Sequence, residues 1–259
     1  MELDIAPVGE RTALLDDLDG GWPVFMTKDP TASFYYRYSE EFWPEFTLLA
    51  VDRETGRAVA KAHSVPIAFD GDITAGLPEA GWDWAIRAAV HDRLTSARPT
   101  IVSALEILIR PDLRGTGLSG IMLGAMRDNA AERGYTDLVA PVRPSGKAAQ
   151  ITKPIDVYAY EQRTNGLPAD PWLRVHVRAG GRIVNVAHTS VVFGGTLAQW
   201  RTWTGLPFDT TGPVEVPGAL SPVHCDVEQD HAVYVEPNVW IHHPIQPVSG
   251  RSSRGPVPA

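Results

Sequence analysis

The sequence predicts an α/β (α+β) fold, one large domain in which helices flank a central mixed β-sheet. Three observations carry that expectation. A nearly unbroken apolar run, Ile101 to Ile109, leads into a glycine-rich turn, an amphipathic helix and a second apolar run. Upstream, two strand-like runs flank turn chemistry at Asp52 to Gly56, the pattern of a β-hairpin. The 259 residues are 44% hydrophobic and include 8 Trp, 7 Tyr and 7 Phe, enough to build a sizeable core and too many for a disordered chain.

The elements follow in order. Residues 1–12 read as a loose leader, and Leu14 to Leu18 as a short helix stopped by Gly20-Gly21-Trp22-Pro23. Asp29-Pro30 is a helix start signal for the aromatic-rich stretch that runs to Trp43. Phe46 to Val51 and Arg57 to Phe69 form the hairpin. Gly71 to Gly81 is a loop, and Trp82 to Ala97 an amphipathic helix. Ile101 to Ile109 has the continuous apolarity of a strand covered on both faces. After the turn at Arg114 to Gly120, Ile121, Leu123, Met126 and Ala130 recur at helical spacing until Gly134. Asp137 to Val142 is the next strand, with a right-handed parallel crossover as one option.

Pro144 to Ala169 is a polar insertion with a short helix near Asp156 to Gln162. Asp170-Pro171 is an N-cap followed by a first-turn proline, and Gly180-Gly181 closes that helix. Arg182 to Phe193 alternates like a strand, Thr196 to Trp203 reads as a helix, and Ala232 to Ile241 as a last strand interrupted at Pro237. The expected organisation is a domain over 1–204 with an insertion at about 144–168, an extension over 205–245 packed on it, and a tail over 246–259 with the composition of disorder.

Charge and cysteine usage narrow the function. The formal charge of −8 disfavours nucleic acid as a partner, because phosphate binding needs a basic footprint. Cys225 is the single cysteine, which excludes a disulfide scaffold and suits a reducing compartment. The acidic start and the absence of any apolar run of ~20 residues predict a cytoplasmic protein with no membrane partner.

The turn after the buried strand has a physical use. The first N–H groups of a helix lack internal partners and sit at the positive end of its dipole. Gly115, Gly117 and Gly120 let backbone approach a diphosphate without Cβ clashes, and Arg114 adds a charged contact. A tight strand-to-helix turn with no ligand explains three glycines equally well. A P-loop is excluded because no Lys lies here. The string Gly115-x-Gly117-x-x-Gly120 matches the dinucleotide pattern, but Asp137 starts the next strand instead of ending it, and hairpins precede the unit.

The stretch Ile107-Leu-Ile-Arg-Pro-Asp-Leu-Arg-Gly-Thr-Gly-Leu-Ser119 resembles the acyl-donor motif of the GCN5-related N-acetyltransferases. The family pattern of Arg or Gln, two residues, Gly, one residue, then Gly or Ala falls on Arg114, Gly117 and Ser119; only the last departs. Trp172 to Gly181 resembles the family's fourth helix and closing glycine. The likeness is specific over 101–142, moderate over 168–193, loose over 29–69, and does not reach 144–168 or 205–259.

The resemblance implies a sheet that splays between two parallel strands and holds acetyl-coenzyme A, or another acyl-coenzyme A, in the gap. The backbone of Ile107, Leu108 and Ile109 would bond the pantetheine arm. The amides of Arg114, Gly115, Thr116, Gly117, Leu118, Ser119 and Gly120 would hold the pyrophosphate. A small-molecule amine would approach from the other side and take the acyl group.

Such a transfer needs a base, an oxyanion site and an acid. The family's acid is a Tyr four residues before the closing glycine, and that position is His176 here, either an acid or a packing residue. Glu106 is the charged residue of the buried strand, where burial should raise its pKa. In a regular strand it would face away from the family's base positions, here Leu105 and Ser103, unless a bulge intervenes. A water relay through Ser103 or a carboxylate elsewhere is the alternative. Tyr158 and Tyr160 either line the acceptor site or pack a loop. The cluster Phe34 to Trp43 reads as core before pocket, and Arg174 with Arg178 as a solvated face before a phosphate contact. His224, Cys225, His231, His242 and His243 match no compact zinc spacing, so no metal is expected. The rival functions are an inactive acyl-coenzyme A-binding or partner module of the same fold, and a transferase that uses a carrier-bound donor. A homodimer is compatible with the 205–259 extension.

Overall fold

Asp29 accepts hydrogen bonds from the N–H groups of Thr31 and Ala32, and Pro30 occupies the first turn, so the aromatic stretch begins as a helix where its start signal lies. The computed structural model describes residues 1–18 and 21–245. Gly20 and the tail over 246–259 lie outside the described residues. In chain order the elements are β1 (Leu3–Pro7), two 3₁₀ turns (Thr12–Leu18 and Val24–Lys28), α1 (Pro30–Phe42), β2 (Thr47–Asp52), β3 (Ala58–Ile67) and α2 (Gly81–Thr95). Then come β4 (Ile101–Ile109), α3 (Leu118–Glu132), β5 (Asp137–Val142), α4 (Ile155–Tyr158), α5 (Pro171–Arg178), β6 (Arg182–Thr196) and α6 (Leu197–Thr204). Three strands finish the described chain: β7 (Gly212–Val214), β8 (Val223–Asp226) and β9 (His231–Pro244).

One sheet runs β1-β2-β3-β4-β5-β9-β8-β7, with β6 also paired to β9. Every pairing is antiparallel except β4 with β5. That parallel pair is short: Val102 faces Leu138 and Ser103 faces Val139, and then the strands part. The glycine-rich unit therefore crosses over to a parallel neighbour, and the sheet opens immediately beyond the shared register. α2 packs on β3, β4, β6 and β9, while α3 packs on β2, β3, β4, β5 and α5. Ile86, Ala89, Met122, Leu123, Leu138 and Trp240 are sealed in this main core. A second cluster of Phe25, Phe193, Trp200, Phe208 and Tyr234 forms under α6.

Two strand expectations need correction. Residues 1–12 contain β1, which pairs with β2 from Leu3 opposite Asp52 to Pro7 opposite Leu48. β9 is not interrupted at Pro237. Opposite that proline, β6 bulges between Ala187 and Val191, and the amides of His188 and Thr189 bond Glu79 instead of β9. β5 reaches only to Val142, opposite Val239. Pro237 thus sits where neither neighbour asks for an N–H, the one kind of interior position a strand proline tolerates. Because β9 lies between β5 and β8, the boundary expected at 204/205 does not coincide with a break in the sheet. No helix among the described residues is long and apolar enough to cross a membrane.

Candidate active site

Where β4 and β5 separate, a cavity of about 880 Å³ opens. Its walls are Ala104–Ile109 of β4, Ala140–Val142 of β5, the turn at Arg114, Gly115, Leu118 and Ser119, and Trp172, Val175 and His176 of α5. The N-terminal segment closes it with Trp22, Pro23, Met26, Asp29 and Tyr36. Beyond Ser103 the β5-facing edge of β4 has no strand partner, so the backbone at Ile107, Leu108 and Ile109 borders the cavity on an open edge.

At the turn, Gly115 and Gly117 have φ of +79° and +91°, the left-handed region that glycine enters without strain. A Cβ at either position, or at Gly120, would meet open space. The amides of Gly115, Thr116, Gly117, Leu118 and Ser119 donate to no described residue, and Gly117 caps α3 without a side-chain bond. Two of the predicted donors drop out. Arg114 N bonds Pro111 O (3.4 Å) and Gly120 N bonds Gly117 O (3.1 Å), because the chain turns tightly on either side of the loop. The Arg114 guanidinium is exposed, lines the cavity and makes no hydrogen bond to a described residue. Free amides, an open concavity, a helix N-terminus and an uncommitted arginine together fit a diphosphate.

Glu106 does reach the cavity, because a bulge turns it inward. His63 pairs with Glu106 but Ser64 pairs with Ala104, so Leu105 is the extra residue of β4. The Leu105 carbonyl accepts the indole N–H of Trp82 at 2.9 Å. The Glu106 carboxylate accepts from Tyr36 Oη (2.6 Å) and Trp22 Nε1 (2.7 Å) and pairs with Lys61 Nζ at 3.0 Å. Lys61 also bonds Glu40 at 3.3 Å. Burial alone would raise the Glu106 pKa, as expected from the sequence, but the Lys61 charge and the three donors outweigh it. The carboxyl is held below its ordinary range. Ser103 is fully buried, its hydroxyl bonds the Ala104 carbonyl at 3.3 Å, and it does not line the cavity.

His176 lines the cavity and is 2% exposed. Asp170 sets its helix: the carboxylate caps Trp172 N and Leu173 N and also accepts Tyr158 Oη and Gly146 N. Tyr158 therefore packs the insertion against α5 instead of lining the cavity, whereas Tyr160 is exposed. The His176 ring stands edge-on to Trp172 at 4.4 Å, and its Nδ1 lies 2.9 Å from Nε2 of His243. Burial, followed by the neighbouring His243, holds His176 well below the ordinary histidine value, so the ring is neutral at pH 7. Arg174 reaches back to the carbonyls of Pro168 and Ala169 and does not touch the cavity.

Sequence reasoning missed Lys61, Tyr36 as a ligand of Glu106, and a carboxylate-rich end. Asp29 and Glu236 line that end. Glu236 pairs with Arg143 at 3.0 Å and accepts from Tyr234 Oη at 2.7 Å. Asp83 is 4% exposed; its Oδ2 accepts from Val192 N, while Oδ1 has no partner among the described residues. Burial, followed by the charge of Asp29, pushes Asp83 up to about 7. The signal available for Lys61 was a lone lysine within the apolar run Ala58 to Ile67.

This geometry agrees with the comparisons. Over 250 residues the chain is 29% identical to an arginine N-acetyltransferase, avaD, of Aspergillus versicolor, covering 86% of this chain and 85% of that protein. The loading GNATL domain of CurA from Lyngbya majuscula superposes with a TM-score of 0.60 at 15% identity, covering 95% of this chain and 99% of that one. The chain is thus similar in sequence to an N-acetyltransferase and has the fold of the GCN5-related N-acetyltransferases. No family model matches it. A second structure, the GphF GNAT-like decarboxylase in complex with isobutyryl-CoA, gives a TM-score of 0.54 at 15% identity over 95% of this chain and all of that one. These two structures support the fold, an open, splayed sheet flanked by helices.

Proposed function

We propose that this chain is an acyl-coenzyme A-dependent N-acyltransferase that moves an acetyl or other acyl group to a small-molecule amine. The observation that carries the reading is one cavity with two chemically distinct ends. One end offers free amides and Arg114 to a diphosphate, and the other is lined by Asp29, Glu106 and Glu236 with the paired cations Lys61 and Arg143. The relative that acetylates arginine favours an amino acceptor with a cationic tail.

The division of labour follows from the residues. Arg114 and the amides of Gly115 to Ser119 hold the diphosphate, and the unpaired edge at Ile107 to Ile109 receives the pantetheine amides. This binding sets the thioester where the strands part. Coenzyme A supplies an activated acyl group with a thiolate leaving group. Glu106 is a weak base toward a free ammonium, because Lys61, Tyr36 and Trp22 stabilise its ionised form. It suits a later task, accepting the proton of the attacking nitrogen once that nitrogen has bonded to the acyl carbon and become strongly acidic. His176 faces the acyl end of the same cavity and contributes a polarising contact, because a neutral buried imidazole does not serve as a strong acid. The single buried thiol, Cys225, suits the cytoplasm, where we place the enzyme.

The test is free-thiol release from acetyl-coenzyme A against a panel of amines: arginine, agmatine-like guanidines, neutral arylalkylamines and acidic amino acids. The expected result is turnover with the guanidine-bearing amines and little with the acidic ones. Binding of coenzyme A without turnover across the panel would replace this reading with a binding module.

A further inference from the structure

We infer that His243 is a tautomer relay that fixes His176 with its Nε2–H directed at the cavity, so that His176 works as a neutral hydrogen-bond donor. The inference rests on the acyltransferase reading only for what the donor is used for; the relay itself is a property of the folded chain.

The argument is a count of protons. His176 Nδ1 and His243 Nε2 are 2.9 Å apart, so one hydrogen lies between two neutral rings, on one nitrogen or the other. His176 Nε2 has no hydrogen-bond partner among the described residues, but it is not one of the sealed, unpartnered atoms, and its residue lines the cavity. His243 is fully buried, and its Nδ1 is sealed without a partner.

Two assignments are open to the pair. If His176 donates to His243, then His243 must carry its own hydrogen on Nδ1, a buried N–H with nothing to receive it. If His243 donates, Nδ1 is a bare lone pair. Orphaned buried N–H groups are the rarer and costlier case.

With Nδ1 bare, His243 carries its hydrogen on Nε2 and donates to His176 Nδ1. His176 is then left with Nε2–H.

Gly181 leaves room for this packing. A Cβ there would lie 2.6 Å from His243 Cε1 and 2.9 Å from the His176 carbonyl oxygen. No proton leaves His176 in the reaction. The Nε2–H bonds the oxygen or sulfur that gains negative charge, and the proton from the amine goes to Glu106. His243 is a positioning residue.

The test reads the imidazole ¹⁵N shifts of the unliganded, full-length protein at pH 7, with the two rings assigned through His176→Ala and His243→Gln. The expected result is a protonated Nε2 and a bare Nδ1 on both rings. A protonated Nδ1 on His176, or an imidazolium on either ring, would overturn the relay. Turnover adds an independent check. His243→Leu should lower kcat roughly 10²-fold, the loss of one aligned donor, with KM for acetyl-coenzyme A unchanged. His243→Gln, whose amide replaces the Nε2–H donor, should restore most of it. Equal kcat for His243→Leu and the parent would overturn the positioning role. The shifts are recorded without substrate, so a failed amine panel overturns the acyltransferase reading and leaves the tautomer result standing.

Discussion

Replacing Lys61 by Met isolates the charge that governs Glu106. The pair sits at 3.0 Å, with side chains 12% and 9% exposed, so neither partner is well screened by water. At an effective dielectric of roughly 20, the gross attraction at that distance is about 5.5 kcal/mol. Glu40 shares the lysine, and Tyr36 and Trp22 remain as donors to Glu106, so the net loss is smaller. Breaking one side of a buried pair costs about 3–5 kcal/mol, and we take about 3 kcal/mol at pH 7, a shift of roughly 1 M in the urea midpoint for an m-value of about 3 kcal/mol/M. The pH dependence gives the sharper check. In the parent, Glu106 titrates below its unfolded value of 4.5, so its contribution is present above that pH and is lost as pH falls through the folded value. Without Lys61, burial becomes the dominant influence, the folded pKa rises above the unfolded one, and the carboxylate destabilises the variant increasingly as pH rises above the unfolded value. The stability difference between parent and Lys61→Met should therefore widen from pH 4 to pH 7. Lys61→Met with Glu106→Gln should recover most of the loss, because the uncompensated charge is gone. A difference that stays constant across pH, or a double variant no better than the single, would refute the reasoning.

Three further outcomes follow from the same geometry. Gly117→Val forces a branched side chain to φ +91° at a cost of about 1–3 kcal/mol and should abolish the coenzyme A adduct in native mass spectrometry; an adduct of parental affinity would remove the turn from the donor site. His176→Ala should lower kcat roughly 10²–10³-fold while leaving that adduct intact, and loss of both together would make the residue structural. Asp83 has a folded pKa of about 7 against 3.8, so its ionisation destabilises the fold progressively from pH 4 to pH 7. Asp83→Asn should accordingly stabilise the protein by up to about 4 kcal/mol at pH 8 and hardly at all at pH 4 in urea titrations, and an equal gain at both would contradict a raised carboxyl.

The parts of the fold legible in the sequence are those whose signals are local. Asp29-Pro30 and Asp170-Pro171 cap their helices as read, and the run Ile101 to Val142 folds as strand, turn, helix and strand. Residues 223–226 and the course of β9 were illegible for a different reason. A proline at 237 ends a strand by local rules and is excused only by a bulge in β6, more than forty residues away in the chain. β1 was hidden by its short alternation, Leu3-Asp4-Ile5, which acquires meaning only when β2 offers an edge.

The site divides along the same line. A turn that binds a diphosphate does so with its own backbone, so glycines and a helix start betray it in one dimension. A carboxylate's chemistry depends on what the fold brings to it. Glu106 was readable as a buried acid, but its inward direction depends on the extra residue at Leu105, and its low pKa on Lys61, Tyr36 and Trp22 from three other segments. The same holds for His176, whose position falls at the family's acid while its protonation is set by a histidine sixty-seven residues later. Motif matching therefore locates the candidate groups in this chain, and their proton states follow only from the partners that the fold assembles around them.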